Sequence, residues 1–161
     1  MAAAIDAVVR VVEPRSGLAP VCRNLLDALP DWFGIPEAND EYADFVANHP
    51  TWSGVDENGD VVGLLAPLDH AGSVEIYLIA VRPEWRDRGV GRALVAAFEA
   101  DGVARGFRLA HVKTLGPSHP DMNYALTRGF YEALGYIPLE ELHDLWLDNP
   151  ALIMVKPLPA S

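Results

Sequence analysis

The stretch Val81-Arg82-Pro83-Glu84-Trp85-Arg86-Asp87-Arg88-Gly89-Val90-Gly91-Arg92-Ala93-Leu94 decides how this chain is read. Behind it lies Ser73 to Val81, the clearest strand in the sequence. Val74, Ile76, Leu78 and Ala80 alternate there with Glu75, Tyr77, Ile79 and Val81, and a strand apolar on both faces is central to its sheet. Ahead of it, Val90, Leu94, Ala97 and Phe98 form an apolar stripe at helical spacing, with Arg92, Glu99 and Arg105 outside the stripe and Gly106 ending the helix. A strand that passes through a glycine turn into a helix leaves the first helical N–H groups without intrahelical acceptors, at the positive end of the helix dipole. Such a mouth binds anions. Gly89 and Gly91 permit close backbone approach, and Arg86, Arg88 and Arg92 add charged donors.

A Gly-x-Gly also occurs in ordinary tight turns and in other phosphate-binding motifs, which carry further residues of their own. A dinucleotide fingerprint requires a third glycine where Leu94 stands, and no acidic residue lies between Asp101 and Asp121 to hold a ribose. A P-loop requires Gly-Lys-Ser or Gly-Lys-Thr, and neither is present.

Outward from this stretch, a first strand is expected over Ile5 to Glu13, ended by Pro14. A helix follows over Leu18 to Leu29, stopped by Pro30, and a second over Pro36 to Asn48 that turns Tyr42, Phe45 and Val46 inward. Thr51 to Val55 and Val61 to Leu68 read as a hairpin around Asp56-Glu57-Asn58-Gly59-Asp60. Beyond the central helix come a strand over Arg108 to Leu115, a helix over Asn123 to Leu134 capped by Gly135, and strands over Tyr136 to Glu140 and Leu152 to Lys156.

Length and composition, with 161 residues of which half are hydrophobic, fit a single domain over 1–161. No apolar run approaches the roughly 20 residues of a membrane span, and the first residues lack the basic start of a signal peptide, so a cytoplasmic protein without membrane contact is expected. The single Cys22 reads as core packing. A net charge of −11 argues against a nucleic-acid partner and would welcome a cationic one, although acidity also simply keeps proteins soluble. His49, His70, His111 and His143 show no ligand spacing, so no metal is expected.

Two segments in the right order resemble a known family. Arg86-Asp87-Arg88-Gly89-Val90-Gly91 is similar to the Arg/Gln-x-x-Gly-x-Gly/Ala signature of the GNAT N-acetyltransferases, and Arg128-Gly129-Phe130-Tyr131-Glu132-Ala133-Leu134-Gly135-Tyr136 resembles their second conserved segment. The resemblance covers Val61 to the C-terminus and implies an α/β (α+β) GNAT fold: a mixed central sheet of about seven strands, splayed after the fourth and flanked by about four helices. It implies acetyl-CoA as acyl donor, with its pyrophosphate on Arg86, Asp87, Arg88, Gly89, Val90, Gly91 and Arg92. Its pantetheine chain would pair with the backbone of Ile79, Ala80 and Val81. Many members begin the later helix with Asn, where this chain has Tyr124 with Asn123 one position earlier, which leaves open which of the two meets CoA.

Acetyl transfer to an amine requires removal of a proton from an ammonium that titrates at about 10, and a donor for a thiolate that titrates at about 8.5. The resemblance nominates Tyr131 as the acid and Glu75 as the base. The alternatives are a packed tyrosine and a buried glutamate held by arginine or backbone donors. Trp32, Phe33, Glu37, Trp52 and Trp146 are candidates for the acceptor wall, and His119, in Gly116-Pro117-Ser118-His119-Pro120-Asp121, for a base or substrate contact. The function expected is transfer of an acetyl group to a primary amine, small-molecule or protein or peptide, by direct attack in a ternary complex. The competing reading is a non-catalytic acyl-CoA-binding module acting through a protein partner. Either is compatible with a homodimer.

Overall fold

The computed structural model describes residues 9–146 and 148–161. Its strands are β1 (Arg10–Arg15), β2 (Thr51–Val55), β3 (Val61–Asp69), β4 (Val74–Val81), β5 (Leu109–Leu115), β6 (Ile137–Trp146) and β7 (Asn149–Pro157), and its helices α1 (Ala19–Asp27), α2 (Pro36–Asn48), α3 (Val90–Ala104) and α4 (Met122–Ala133). The strands form one mixed sheet in the order β1-β2-β3-β4-β5-β7-β6, which is the fold class that the sequence led us to expect. The registered pairing of β4 with β5 is parallel and runs from Val74–Ala110 to Ile76–Val112, while both strands continue beyond it. The chain sorts into two compact units, Met1–Pro67 with Leu78–Ala100 and Leu68–Tyr77 with Asp101–Ser161. No helix among the described residues is long and apolar enough to cross a membrane.

In the first unit β1, β2 and β3 form an antiparallel meander. The β2–β3 turn closes as its Asn-Gly predicts: Gly59 adopts φ +84°, and Asp56 Oδ1 accepts from the N–H groups of Asn58 and Asp60. Residues 5–8 of the first expected strand lie outside the described residues. Pro14 does not end that strand. β1 runs through it, because the register shifts between Val12 and Arg15 on a strand at the sheet edge, where a missing N–H leaves no ladder bond unmade. α1 turns Cys22, Leu25 and Leu26 into the core, and burial pushes the Cys22 thiol up to about 11. α2 occupies the span expected, but Ala43 and Val46 are its buried residues, while Tyr42 and Phe45 are only half covered.

Two glycines opposite one another on neighbouring strands, Gly54 and Gly63, seat the start of α3. A Cβ on Gly63 would stand 2.9 Å from Val90 Cγ1, 3.2 Å from Leu94 Cδ1 and 3.3 Å from the Ala80 carbonyl oxygen, and one on Gly54 3.3 Å from Val90 Cγ1. Bare backbone at these two positions lets the apolar stripe of the helix lie directly on the strands.

In the second unit β5, β7 and β6 form an antiparallel ribbon that buries Ala110, Val112, Ala151, Leu152 and Met154. β6 and β7 are longer than their sequence pattern suggests. β6 is the outer strand and is mostly exposed, so Glu140, Glu141, His143 and Asp144 break the alternation that marks a covered strand. Arg105 closes the C-terminal end of α3 with a forked bond to both Asp69 oxygens, at 2.7 and 3.0 Å, and a third bond to Asp101 at 2.8 Å.

Candidate active site

The chain leaves β4 through a short 3-10 turn, Pro83–Trp85, and Arg82 anchors the exit. Its N–H donates to the Val62 carbonyl at 2.9 Å, Nε to the Val61 carbonyl at 3.0 Å and Nη2 to Asn24 Oδ1 at 2.7 Å. Asp87 (φ +59°) and Gly89 (φ +85°) then bend the backbone into the helix, and the Gly89 carbonyl accepts from the Ala93 N–H at 3.0 Å. Gly89 is therefore the residue that caps α3, and it has no side chain to offer the amides of Val90, Gly91 and Arg92. A Cβ built on Gly89 would meet nothing within 4 Å. Arg86, Asp87, Arg88 and Arg92 around it are exposed, Val90 is buried against the glycine seat and Gly91 is half-buried. The Arg86 guanidinium lies 3.8 Å from the centre of the Trp32 ring, which holds an otherwise mobile cation in place. Arg88 stacks on Trp85 at 5.0 Å.

Of the remaining candidates in this unit, Ala80 is buried and Ile79 and Val81 are half-buried at the end of β4. Phe33 packs edge-on to Tyr42, and Glu37 is exposed in the first turn of α2. Trp52 is 7% exposed, in register with Leu65 in the middle of the meander, and so serves the core of this unit.

In the second unit the parallel register of β4 and β5 sets Glu75 opposite His111, and a polar cluster collects there. Glu75 is 4% exposed. Its Oε1 lies 2.7 Å from His70 Nε2 and 3.8 Å from His111 Nε2, and its Oε2 accepts from Lys113 Nζ at 3.0 Å. Ser73 Oγ is hydrogen-bonded to His111 Nδ1. Burial pushes the His111 imidazole below its ordinary range, Glu75 works against that, and Lys113 and His70 add to it. Spacing along the chain hid this grouping, since the register of β4 and β5 brings His111 to Glu75 and the turn after β3 brings His70 there. Glu75 is thus buried with the His70 and Lys113 side chains as partners, where the alternative sequence reading named arginine or backbone donors.

Tyr131 is the buried residue of α4, and its ring packs against Phe130 and Tyr136. Asn123 stands in the first turn of that helix, where Asp121 Oδ1 accepts from its N–H at 2.8 Å and from the Tyr124 N–H at 3.4 Å. Burial, with Asp121 adding, pushes the Tyr124 phenol up to about 12. His119 is half-buried in the loop after β5, which Glu141 fastens by accepting from the Ser118 N–H and hydroxyl at 2.9 and 2.6 Å. His119 Nδ1 is buried without a hydrogen-bond partner among the described residues. Trp146 is half-buried at the end of β6.

Comparison with known proteins agrees with this architecture. A GNAT-family protein from Desulfovibrio desulfuricans superimposes with a TM-score of 0.81 at 23% identity, over 94% of this chain and 100% of that one. The ribosomal-protein-S18-alanine N-acetyltransferase of Escherichia coli gives 0.76 at 16% identity over 96% of each chain. An aminoglycoside 6'-N-acetyltransferase in complex with coenzyme A gives 0.68 at 20% identity over 94% and 99%. At such identities the likeness is one of fold. In sequence, an N-acetyl-gamma-glutamyl-phosphate reductase from Burkholderia ambifaria is 39% identical over 93 residues, covering 51% of this chain but only 29% of that protein. The model of the acetyltransferase (GNAT) family matches residues 19–136, and the chain belongs to that family.

Proposed function

We propose that this chain is an acyl-CoA-dependent N-acetyltransferase that moves an acetyl group from acetyl-CoA to a primary amine, by direct attack in a ternary complex, with both units serving one catalytic domain. The observation that carries the reading is the cap of α3, where a glycine at φ +85° and exposed Arg86, Arg88 and Arg92 leave a helix mouth fit for a diphosphate. A structural neighbour that holds coenzyme A in the same fold supports the choice of ligand.

In this proposal the diphosphate lies on the amides of Val90, Gly91 and Arg92, and the pantetheine chain pairs with the backbone of Ile79, Ala80 and Val81. The amine nitrogen attacks the thioester carbon, the C–S bond breaks, the leaving thiolate takes a proton from the Tyr131 hydroxyl, and the second proton that the nitrogen sheds as the amide forms restores that hydroxyl through solvent. Glu75 receives the proton that the ammonium must lose, and His70, whose side chain is 40% exposed at 2.7 Å from that carboxylate, passes it to solvent. Asn123 contacts CoA from the first turn of α4, and Trp32, Phe33, Glu37 and His119 face the acceptor. The net charge of −11 favours cationic acceptors, whether small amines or protein or peptide amines.

Incubation with acetyl-CoA and a panel of amines, following free thiol, tests this. We expect thiol release that depends on the amine, with kcat reduced on the order of a hundredfold in Tyr131→Phe and in Glu75→Gln. Tight acetyl-CoA binding with no acetylated amine would favour the non-catalytic module instead.

A further inference from the structure

We propose that His70, Glu75 and His111 form a binding site for a single divalent transition metal ion, with zinc the best fit. The observation is geometric. One ring nitrogen from each of His70 and His111 and one carboxylate oxygen of Glu75 lie within 4.8 Å of one another, drawn from the residue after β3, from β5 and from β4. Four-coordinate zinc with bonds of about 2.0–2.1 Å sets its ligand atoms about 3.3 Å apart. The two separations to Glu75 Oε1, 2.7 and 3.8 Å, bracket that value, and side-chain rotation must draw the two imidazoles, which lie within 4.8 Å of each other, around the ion.

The surroundings match what metal ligands need. A ligating imidazole is held by a partner on its other nitrogen, and a ligating carboxylate by a donor on its free oxygen. Ser73 Oγ is hydrogen-bonded to His111 Nδ1, and with Nδ1–H donating to the hydroxyl the Nε2 lone pair faces Glu75 and is available to an ion. Lys113 Nζ holds Glu75 Oε2 at 3.0 Å and leaves Oε1 for the ion. Glu75 and His111 sit on strands in direct register and are buried or nearly so, with side chains 5% and 13% exposed, which gives a rigid floor. His70 is 40% exposed, so it opens the path by which an ion and one water, the fourth ligand, enter. Two imidazoles and one carboxylate with an open position suit zinc and its neighbours, not the all-oxygen shells of calcium or magnesium. In the metal-free protein the hydrogen bond between His70 and Glu75 occupies the place of the ion. An ion there also takes Glu75 Oε1 out of proton transfer, so a loaded protein that uses Glu75 as base would be inhibited.

The three residues belong wholly to the second unit, and because two of them also serve the proposed proton transfer, binding itself rather than turnover is measured. The full chain, stripped with chelator and free of CoA, is titrated with Co2+ and followed by visible absorption, and with Zn2+ by calorimetry. One equivalent should bind with the intense visible bands of four-coordinate cobalt, and zinc should displace it. His70→Ala and Glu75→Gln, checked for fold by circular dichroism, should weaken binding on the order of a hundredfold, and Ser73→Ala by about tenfold. His143→Ala, a change at an exposed histidine on β6, should bind as the parent does. Absence of a four-coordinate cobalt spectrum, or equal affinity in His70→Ala and the parent, would overturn the proposal and leave the cluster a hydrogen-bonded network only.

Discussion

Helices α3 and α4 begin in opposite ways. At α4 the cap is Asp121, whose carboxylate accepts from the first amides and answers the positive end of the dipole with the chain's own negative charge. At α3 the cap is Gly89, which carries no side chain, and exposed arginines stand beside it. A helix mouth closed by its own acid is finished as structure. One capped by glycine and ringed with cations keeps its donors for an anion from outside.

That contrast can be broken most severely by giving α3 the cap that α4 has. Gly89→Asp should lower acetyl-CoA affinity about a hundredfold, about 2.7 kcal/mol, in calorimetry. Gly89→Asn, which tolerates the same positive φ without the charge, should lose far less. Equal losses in the two would show that backbone strain, not the carboxylate, is responsible. The glycine seat comes next. Gly63→Val drives a side chain into Val90, Leu94 and the Ala80 carbonyl, so unfolding should cost about 1–3 kcal/mol less, and acetyl-CoA affinity should fall about tenfold as the mouth shifts. Denaturant midpoints unchanged from the parent would mean that the helix start can give way freely.

The mouth of α4 is tested by removing its acid. Asp121→Ala should lose about 1 kcal/mol of stability in urea unfolding. No loss would mean that water replaces the cap at no cost. The smallest effect lies at the other end of α3. Arg105 holds the Asp69 carboxyl below its ordinary range, chiefly by hydrogen bonding. A carboxyl with a folded pKa below the unfolded value of about 3.9 gives stability that is present above that value and lost as pH falls through the folded one. Because the Asp69 side chain is 53% exposed, the loss should be only a few tenths of a kcal/mol. Asp69→Asn should remove that part of the acid dependence of the urea midpoint.

The two mouths also divide what could be read in the sequence from what could not. Arg86-x-x-Gly89-x-Gly91 after an unbroken apolar strand is a local signal, and so are the hairpin at Asn58-Gly59 and the span of α2. The glycine seat was hidden because Gly54 and Gly63 mean something only once β2 and β3 are in register. The cluster around Glu75 was hidden for a like reason: His70 and His111 look unrelated until the turn after β3 and the parallel pairing of β4 with β5 bring both to Glu75. Pro14 misled because the rule against proline in strands lapses at an edge.

The central claim is that the amides at the start of α3 receive the diphosphate of acetyl-CoA. A crystal structure of the complex with acetyl-CoA tests it most directly. The account predicts diphosphate oxygens within hydrogen-bonding distance of the backbone N–H groups of Val90, Gly91 and Arg92. A bound acetyl-CoA whose diphosphate lies away from those amides would contradict it.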